Sequence, residues 1–204
     1  MVLAAGRSER FGSPKPLIPW GDLTLVAHQV RTLASLDEVA EVIVVTGHRA
    51  EDVRAALNGL RARTVHNPDY AQGRATSVAR AARALPEDCD GVLLVSVDQP
   101  LHPDALADLV AGWRAAPGDI VRPLHEGKHG HPVIFPGDLR AELAAVDDAT
   151  EGPRAVVRRH ADRLRDAPTT YPHVLLNLNT RAAYDAARAM FGLSDSDAPP
   201  ASGA

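Results

Sequence analysis

The chain has 204 residues, of which 45% are hydrophobic and 4% aromatic, and this composition suits one globular domain with a mainly aliphatic core. The net charge of −4 argues against a protein that binds nucleic acid in bulk. The single cysteine excludes an intramolecular disulfide and fits the reducing cytoplasm, where we expect the protein, and neither a membrane span nor a signal peptide is evident.

Short apolar runs alternate with helical patterns along the chain. In chain order, the patterns predict a strand at 2–4, a helix at 24–35, a strand at 41–46, a helix at 50–60, a strand at 63–65, a helix at 77–85, a strand at 91–97, a helix at 103–115, strands at 119–122 and 132–135, helices at 139–146 and 154–160, a strand at 174–179 and a helix at 182–191. The first strand is short, either because the chain starts upstream of Met1 or because the sheet tolerates a clipped strand.

This alternation predicts an α/β fold of three layers, Rossmann-like, with a mostly parallel central sheet and helices on both faces. We expect one domain over residues 1–192, followed by a disordered tail over 193–204 that is rich in Ser, Asp, Pro and Ala. Ligands of such sheets bind beyond the carboxyl ends of the strands. The loops of interest are therefore 5–15, 67–77 and 98–101.

The first of these loops has the composition of a phosphate-binding turn. Residues 3–15 read LAAGRSERFGSPK. Gly6 and Gly12 allow the backbone to approach a ligand closely, and successive N–H groups of such a turn can bind an anion. Arg10 and Lys15 add the positive charge that suits a triphosphate. From the residues alone, a tight connection with two solvated cations explains the segment equally well.

The same segment resembles the opening signature of the MobA-like NTP-transferase family, L-A-A-G-x-S-x-R-x-G-x-x-K, and the resemblance continues over nearly the whole chain up to the tail. It implies a GT-A-like nucleotidyltransferase fold in which this loop wraps the phosphates of an NTP. Carried over to this chain, Arg10 and Lys15 contact phosphate oxygens. The other implied nucleotide-binding positions of the loop are Leu3, Ala4, Ala5 and Gly6.

A metal site is expected where the most apolar strand ends. Asp98 follows the run GVLLVSV, and Mg²⁺ takes oxygen ligands such as carboxylates. A cap for the helix that begins at Pro103 is the alternative role for Asp98. The segment D-Q-P-L resembles the molybdenum-cofactor cytidylyltransferase branch of the family, which implies that Asp98 binds Mg²⁺. Asn177 and Asn179 lie two apart on a predicted strand, and the resemblance implies that Asn179 completes the metal site, unless it only caps the next helix.

Two further segments suggest the nucleobase and acceptor pockets. The stretch from Asn67 to Ser77 resembles the family's N-P…G-x-x-x-S segment, which implies that Gly73 and Ser77 lie beside the base; an ordinary turn and helix cap is the alternative. The segment G-H-P-V-I-F resembles a motif of the cytidylyltransferase branch, which implies an acceptor-binding role for His131. A turn histidine before an edge strand is the alternative there.

The resemblance therefore implies a Mg²⁺-dependent enzyme that moves a nucleoside monophosphate from an NTP to a phosphate-bearing acceptor and releases pyrophosphate, with Arg10, Lys15 and Asp98 as catalytic residues. The Ala5 methyl would narrow the base pocket against purines. Together with the D-Q-P-L and G-H-P-V-I-F segments it points to CTP, to molybdopterin as acceptor, and to a molybdoenzyme or its chaperone as partner. A sugar- or polyol-phosphate nucleotidylyltransferase is the first alternative, and a non-catalytic protein that binds a nucleotide or cofactor is the second. No nucleic acid or membrane partner is expected.

Overall fold

The computed structural model describes residues 1–8, 11–149 and 151–193. In this part of the chain, an eight-stranded sheet has the order β10-β7-β9-β6-β1-β4-β5, with β8 paired to β7, and β2 and β3 form a separate hairpin. The strands are β1 (Val2–Leu3), β2 (Pro19–Trp20), β3 (Leu23–Thr24), β4 (Ile43–Thr46), β5 (Arg63–His66), β6 (Gly91–Ser96), β7 (Ile120–His125), β8 (Lys128–His129), β9 (Val133–Pro136) and β10 (Leu164–Pro168).

The helices cover both faces of this sheet. They are α1 (Leu25–Ala34), α2 (Ala50–Ala56), α3 (Arg74–Ala84), α4 (Pro103–Ala115), α5 (Arg140–Ala144), α6 (Pro153–Arg159) and α7 (Arg181–Met190). One apolar cluster packs α1, α2 and α4 against the sheet, and a second packs α3, α5 and α6 against its other face. The three-layer α/β arrangement that the sequence predicts is confirmed.

Alternation along the strands explains how one sheet supplies two cores. Successive side chains of a strand point to opposite faces. In β1, Val2 belongs to the first cluster and Leu3 to the second, and in β6 Val95 and Leu94 divide in the same way. The core strands pair in parallel, β1 with both β4 and β6, whereas β9 runs antiparallel to β6 and β7.

A third, smaller cluster joins the C-terminal helix to the hairpin. Trp20 of β2 packs with Tyr184 and Ala187 of α7 and with Leu178. Leu193, which the sequence places at the start of the tail, also packs against this cluster. Residues 194–204 lie outside the described residues. No helix of the described residues is long and apolar enough to cross a membrane.

The predicted late strand at 174–179 is wrong. Pro172–Leu175 form a 3₁₀ turn, and the chain continues irregularly to Thr180, the residue that caps α7. The backbone N–H of Leu178 donates to the carbonyl of Asp98 (2.8 Å), so the segment crosses the end of β6 rather than pairing along the sheet. The sequence patterns did not predict β10 or the two-residue strands β2, β3 and β8; three of the five residues of β10 are exposed.

Candidate active site

The loop after β1 lies at the carboxyl end of the sheet, and its apolar start is buried. Leu3, Ala4 and Ala5 are 7%, 0% and 3% exposed, so they can meet a ligand only through their backbone. Ser8 adopts a left-handed conformation (φ 57°), and its hydroxyl accepts the backbone N–H of Lys15 at 3.1 Å. This bond closes the loop onto Lys15. Gly6 is exposed, and Arg10, assigned to the phosphates, lies outside the described residues.

The Ala5 methyl does not have the surroundings that the sequence argument needs. Ala5 packs in the second apolar cluster, and its carbonyl accepts the backbone N–H of His48 at 3.0 Å. A methyl group that points into a core cannot narrow an open base pocket. The expectation that Ala5 excludes purines by steric contact is therefore wrong, because its side chain faces the protein interior.

Lys15, Asp98 and Asn179 come together although they are far apart in sequence. The Lys15 Nζ donates to the Asn179 Oδ1 at 3.0 Å and lies 3.5 Å from the Asp98 Oδ2. Lys15 is only 9% exposed, and the Asp98 side chain is 26% exposed. One buried ammonium group thus holds the two oxygen atoms that the sequence assigns to a metal ion.

Asp98 is positioned by a residue that the sequence argument overlooked. Gln29 of α1 is fully buried, and its Nε2 donates to the carbonyls of Ser96 (3.0 Å) and Gln99 (2.8 Å) on either side of Asp98. The backbone N–H of Gln99 also bonds the Ser96 carbonyl at 3.1 Å, which turns the chain sharply after β6. The only sequence signal was a polar residue on the apolar stripe of a predicted helix.

Asn179 is positioned from both sides of its loop. Leu178 is fully buried in the third cluster and bonds the Asp98 carbonyl through its N–H. On the other side, the Thr180 hydroxyl accepts the Ala183 N–H at 3.1 Å and caps α7. The packing of α7 therefore fixes the position of Asn179. Asn177, the other asparagine of this segment, is exposed.

The donor set fits a magnesium ion. Asp98 offers a carboxylate and Asn179 an amide oxygen, and Mg²⁺ is commonly held by one or two such groups, with substrate phosphates and water as its other ligands. No group of three or more His, Cys, Asp or Glu side chains suited to a metal occurs among the described residues. A histidine- or cysteine-rich centre is therefore not what this part of the chain builds.

Gly73 and Ser77 lie at the start of α3, next to a buried polar network. Asn67 is 1% exposed, and its side-chain amide donates to the Ser77 hydroxyl at 3.0 Å. Gly73 has φ 139°, and a Cβ built there would come within 1.9 Å of a carboxylate oxygen of Asp148. The same Asp148 oxygen accepts the Ala75 N–H at 2.9 Å. Asp148, which the sequence left without a role, thus covers Gly73.

His131 stands on the other rim of the site. Its backbone N–H donates to the Val174 carbonyl at 2.8 Å, which ties it to the segment that carries Asn179, and the His131–Pro132 peptide bond is cis. Water reaches the ring, yet the protein atoms around it disfavour the charged form and lower the pKa of His131, and the positive charge of Arg74 acts in the same direction.

A family comparison agrees with this geometry. The model of the MobA-like NTP transferase domain matches residues 1–189. The chain belongs to this family. It is a MobA-like nucleotidyltransferase, and the coarse prediction from its motifs is confirmed.

Individual relatives of this nucleotidyltransferase carry different names. A protein of Rubrobacter xylanophilus named bifunctional IPC transferase and DIPP synthase is 48% identical over 183 residues; the match covers 81% of this chain but only 40% of that protein. The molybdenum cofactor cytidylyltransferase of Escherichia coli is 33% identical over 137 residues, or 66% of this chain and 67% of that one. The crystal structure of Rv0371c from Mycobacterium tuberculosis H37Rv in complex with manganese is 28% identical, covers 92% of this chain and 95% of that chain, and has a TM-score of 0.68.

Proposed function

We propose that this nucleotidyltransferase moves CMP from CTP to a phosphate-bearing acceptor and releases pyrophosphate, with Mg²⁺ held by Asp98 and Asn179. The observation that carries the proposal is the convergence of Lys15, Asp98 and Asn179 at the carboxyl end of the sheet. The crystal structure of Rv0371c, a relative of the same fold, in complex with manganese supports the use of a divalent ion.

The chemistry is displacement at phosphorus. An oxygen of the acceptor phosphate attacks the α-phosphorus of the nucleotide, the bond to the β-phosphate oxygen breaks, and pyrophosphate leaves with that electron pair. Transfers of this kind depend on positioning and charge neutralisation rather than on a side-chain nucleophile. A bound Mg²⁺ neutralises charge that builds up on the phosphate oxygens.

The residues of this chain share the remaining work. The loop after β1 supplies backbone N–H groups for the triphosphate, and we place the side chains of Lys15 and Arg10 on its oxygens. Ser8 fixes the start of the Lys15 segment, and Gln29 fixes the turn that carries Asp98. We keep Gly73 and Ser77 beside the base, with Asp148 moving off Gly73 when the nucleotide enters.

The choice of CTP as nucleotide and of molybdopterin as acceptor is supported by sequence similarity and not by the geometry of the site. The match to the Escherichia coli cytidylyltransferase and the D-Q-P-L and G-H-P-V-I-F segments favour CTP and molybdopterin, with a molybdoenzyme or its chaperone as recipient of the product. The higher identity to the Rubrobacter xylanophilus protein, whose name is not that of a molybdenum cofactor enzyme, keeps open the alternative acceptor of the sequence analysis, a sugar or polyol phosphate.

A matrix of nucleotides and acceptors tests the proposal. Pyrophosphate release is measured for CTP, UTP, GTP and ATP, each with molybdopterin, sugar phosphates and polyol phosphates, and with Asp98→Asn as the inactive control. Turnover with CTP that Asp98→Asn abolishes supports the assignment. Preference for GTP or ATP refutes the choice of base, and no pyrophosphate with any pair favours the non-catalytic alternative.

A further inference from the structure

Two arginines at the rim of the site lack the carboxylate partners that most others have. Along the surface, arginines form ion pairs such as Arg63 with Glu41 and Arg122 with Asp166. Among the described residues, neither Arg74 nor Arg154 has a carboxylate oxygen within 4.0 Å. Unneutralised guanidinium groups that face a ligand crevice are typical of anion recognition.

The backbone brings these two arginines together. Arg74 is the first residue of α3, and Arg154 is the second residue of α6. Gly152, directly before α6, lies against Ala75, so that a Cβ built on Gly152 would be 3.5 Å from the Ala75 methyl. The starts of the two helices therefore touch, and both side chains depart from the same small region.

The charges of Arg74 and Arg154 both act on His131, and that of Arg74 also acts on Asp98. Arg74 is attracted electrostatically by Asp98 and repelled by Arg154. The charged form of His131 is repelled by Arg74 and Arg154 and attracted by Asp98. Arg74 and His131 thus each lie close enough to Asp98 to interact with its carboxylate, and Arg154 lies close enough to interact with Arg74 and His131. Asp148, which bonds Ala75, offsets part of the charge of Arg74. An additional anion bound here would relieve the repulsion between the two arginines.

We propose that Arg74, Arg154 and His131 bind the phosphate monoester of the acceptor beside Asp98. Two guanidinium groups can each offer paired N–H donors to a phosphate, and the neutral imidazole adds a single donor. The site would favour an acceptor that carries a dianionic phosphate over one that presents only a hydroxyl or a carboxylate. This inference rests on the proposed function, since it places the second substrate next to the atoms where the first reacts.

The test compares Arg74→Ala and Arg154→Ala with Arg83→Ala. Arg83 lies in the last turn of α3, is exposed and has no carboxylate within 4.0 Å among the described residues, so it controls for loss of a surface charge. Each variant is first checked for an unchanged melting temperature. We expect the KM for the acceptor to rise at least about tenfold in the two rim variants, the effect of one lost charge-assisted hydrogen bond. The Kd for CTP, measured with Mn²⁺ present, should stay within about twofold.

A second measurement keeps the inference testable if no acceptor is turned over. The Kd of inorganic phosphate is measured by calorimetry in a Lys15→Met background, which weakens phosphate binding at the triphosphate site as a competing location. Binding that Arg154→Ala weakens tenfold and Arg83→Ala leaves intact supports the anion site even where the proposed function fails. Unchanged phosphate affinity, or a loss of CTP affinity as large as the loss for the acceptor, overturns it.

Discussion

Replacement of Lys15 by methionine should let the protein bind a divalent cation without nucleotide. The ammonium group of Lys15 contacts both proposed ligands, at 3.0 Å from Asn179 and 3.5 Å from Asp98, so a metal ion must displace it. Two opposite charges about 4 Å apart attract by roughly 4 kcal/mol at an effective dielectric constant of about 20, and the cost of desolvating them lowers the net value. Even a net of about 1.4 kcal/mol corresponds to a tenfold tighter Kd for the metal in Lys15→Met.

The nucleotide should change this competition. A triphosphate offers the lysine other oxygens, so CTP frees Asp98 and Asn179 for the metal in the wild type. In Lys15→Met that release has already occurred. We therefore expect CTP to tighten metal binding by a larger factor in the wild type than in the variant, and by linkage the metal should tighten CTP binding by the same factor.

The assay is the Kd of Mn²⁺, read from the paramagnetic resonance signal of the free ion, with and without CTP. Lys128→Met is the matched control, because Lys128 is the only other lysine of the sequence and is exposed. Equal Mn²⁺ affinity in wild type and Lys15→Met, with equal effects of CTP, would show that Lys15 does not compete with the metal ion for Asp98 and Asn179. No Mn²⁺ binding to either protein would instead refute the metal site itself.

Three further predictions concern the supports of the site. Gln29→Leu takes away the side-chain donor to the carbonyls of Val97 and Gln99, just after β6, and should lower the free energy of unfolding by about 1–3 kcal/mol in urea titrations, more than the nearby surface change Arg31→Leu. Gly130→Ala places a Cβ 2.5 Å from the Val174 carbonyl and should cost about 1–3 kcal/mol, whereas Gly118→Ala, with nothing within 4 Å, should cost far less; equal effects would contradict the packing argument. Burial is the main cause that lowers the pKa of His28, so the unfolded state takes up the proton first and the free energy of unfolding should fall as the pH drops below about 6.5. His28→Gln should reduce this dependence of the free energy of unfolding on pH between about pH 7 and pH 5.5, and an unchanged dependence would assign it to other groups.

The sequence predicted the layers of the fold because apolar periodicity survives wherever an element is half or fully buried. The prediction from sequence failed where the burial of a segment does not follow from its local apolar pattern. The strand β10 is an edge strand in which only Ala167 is buried, so it shows no clear alternation of buried apolar and exposed polar residues. The segment 174–179 has buried apolar residues, but they dock on the end of β6 and on α7 through single contacts, and no ladder forms.

The same contrast holds for the site. Lys15 and Asp98 follow strands, so the rule that ligands bind at carboxyl ends of parallel strands found them. Gln29, Arg74 and Arg154 belong to helices, and each becomes informative only through its neighbours in space: a turn that needs donors, or a second arginine that starts from a touching helix end. One sequence carries no signal for such proximity.

The bond between Lys15 and Asn179 spans 164 positions of the chain. On a ribosome, the phosphate loop and Asp98 emerge long before the asparagine and before α7, whose docking holds that asparagine in place. A nascent or truncated chain can thus build most of the sheet, yet it lacks one of the two oxygens of the proposed cation site. Long-range closure of this kind is slow compared with local helix formation. The proposed catalytic centre would therefore be the last part of the domain to form. Cleavage of the chain before α7 should abolish activity while most of the sheet stays folded.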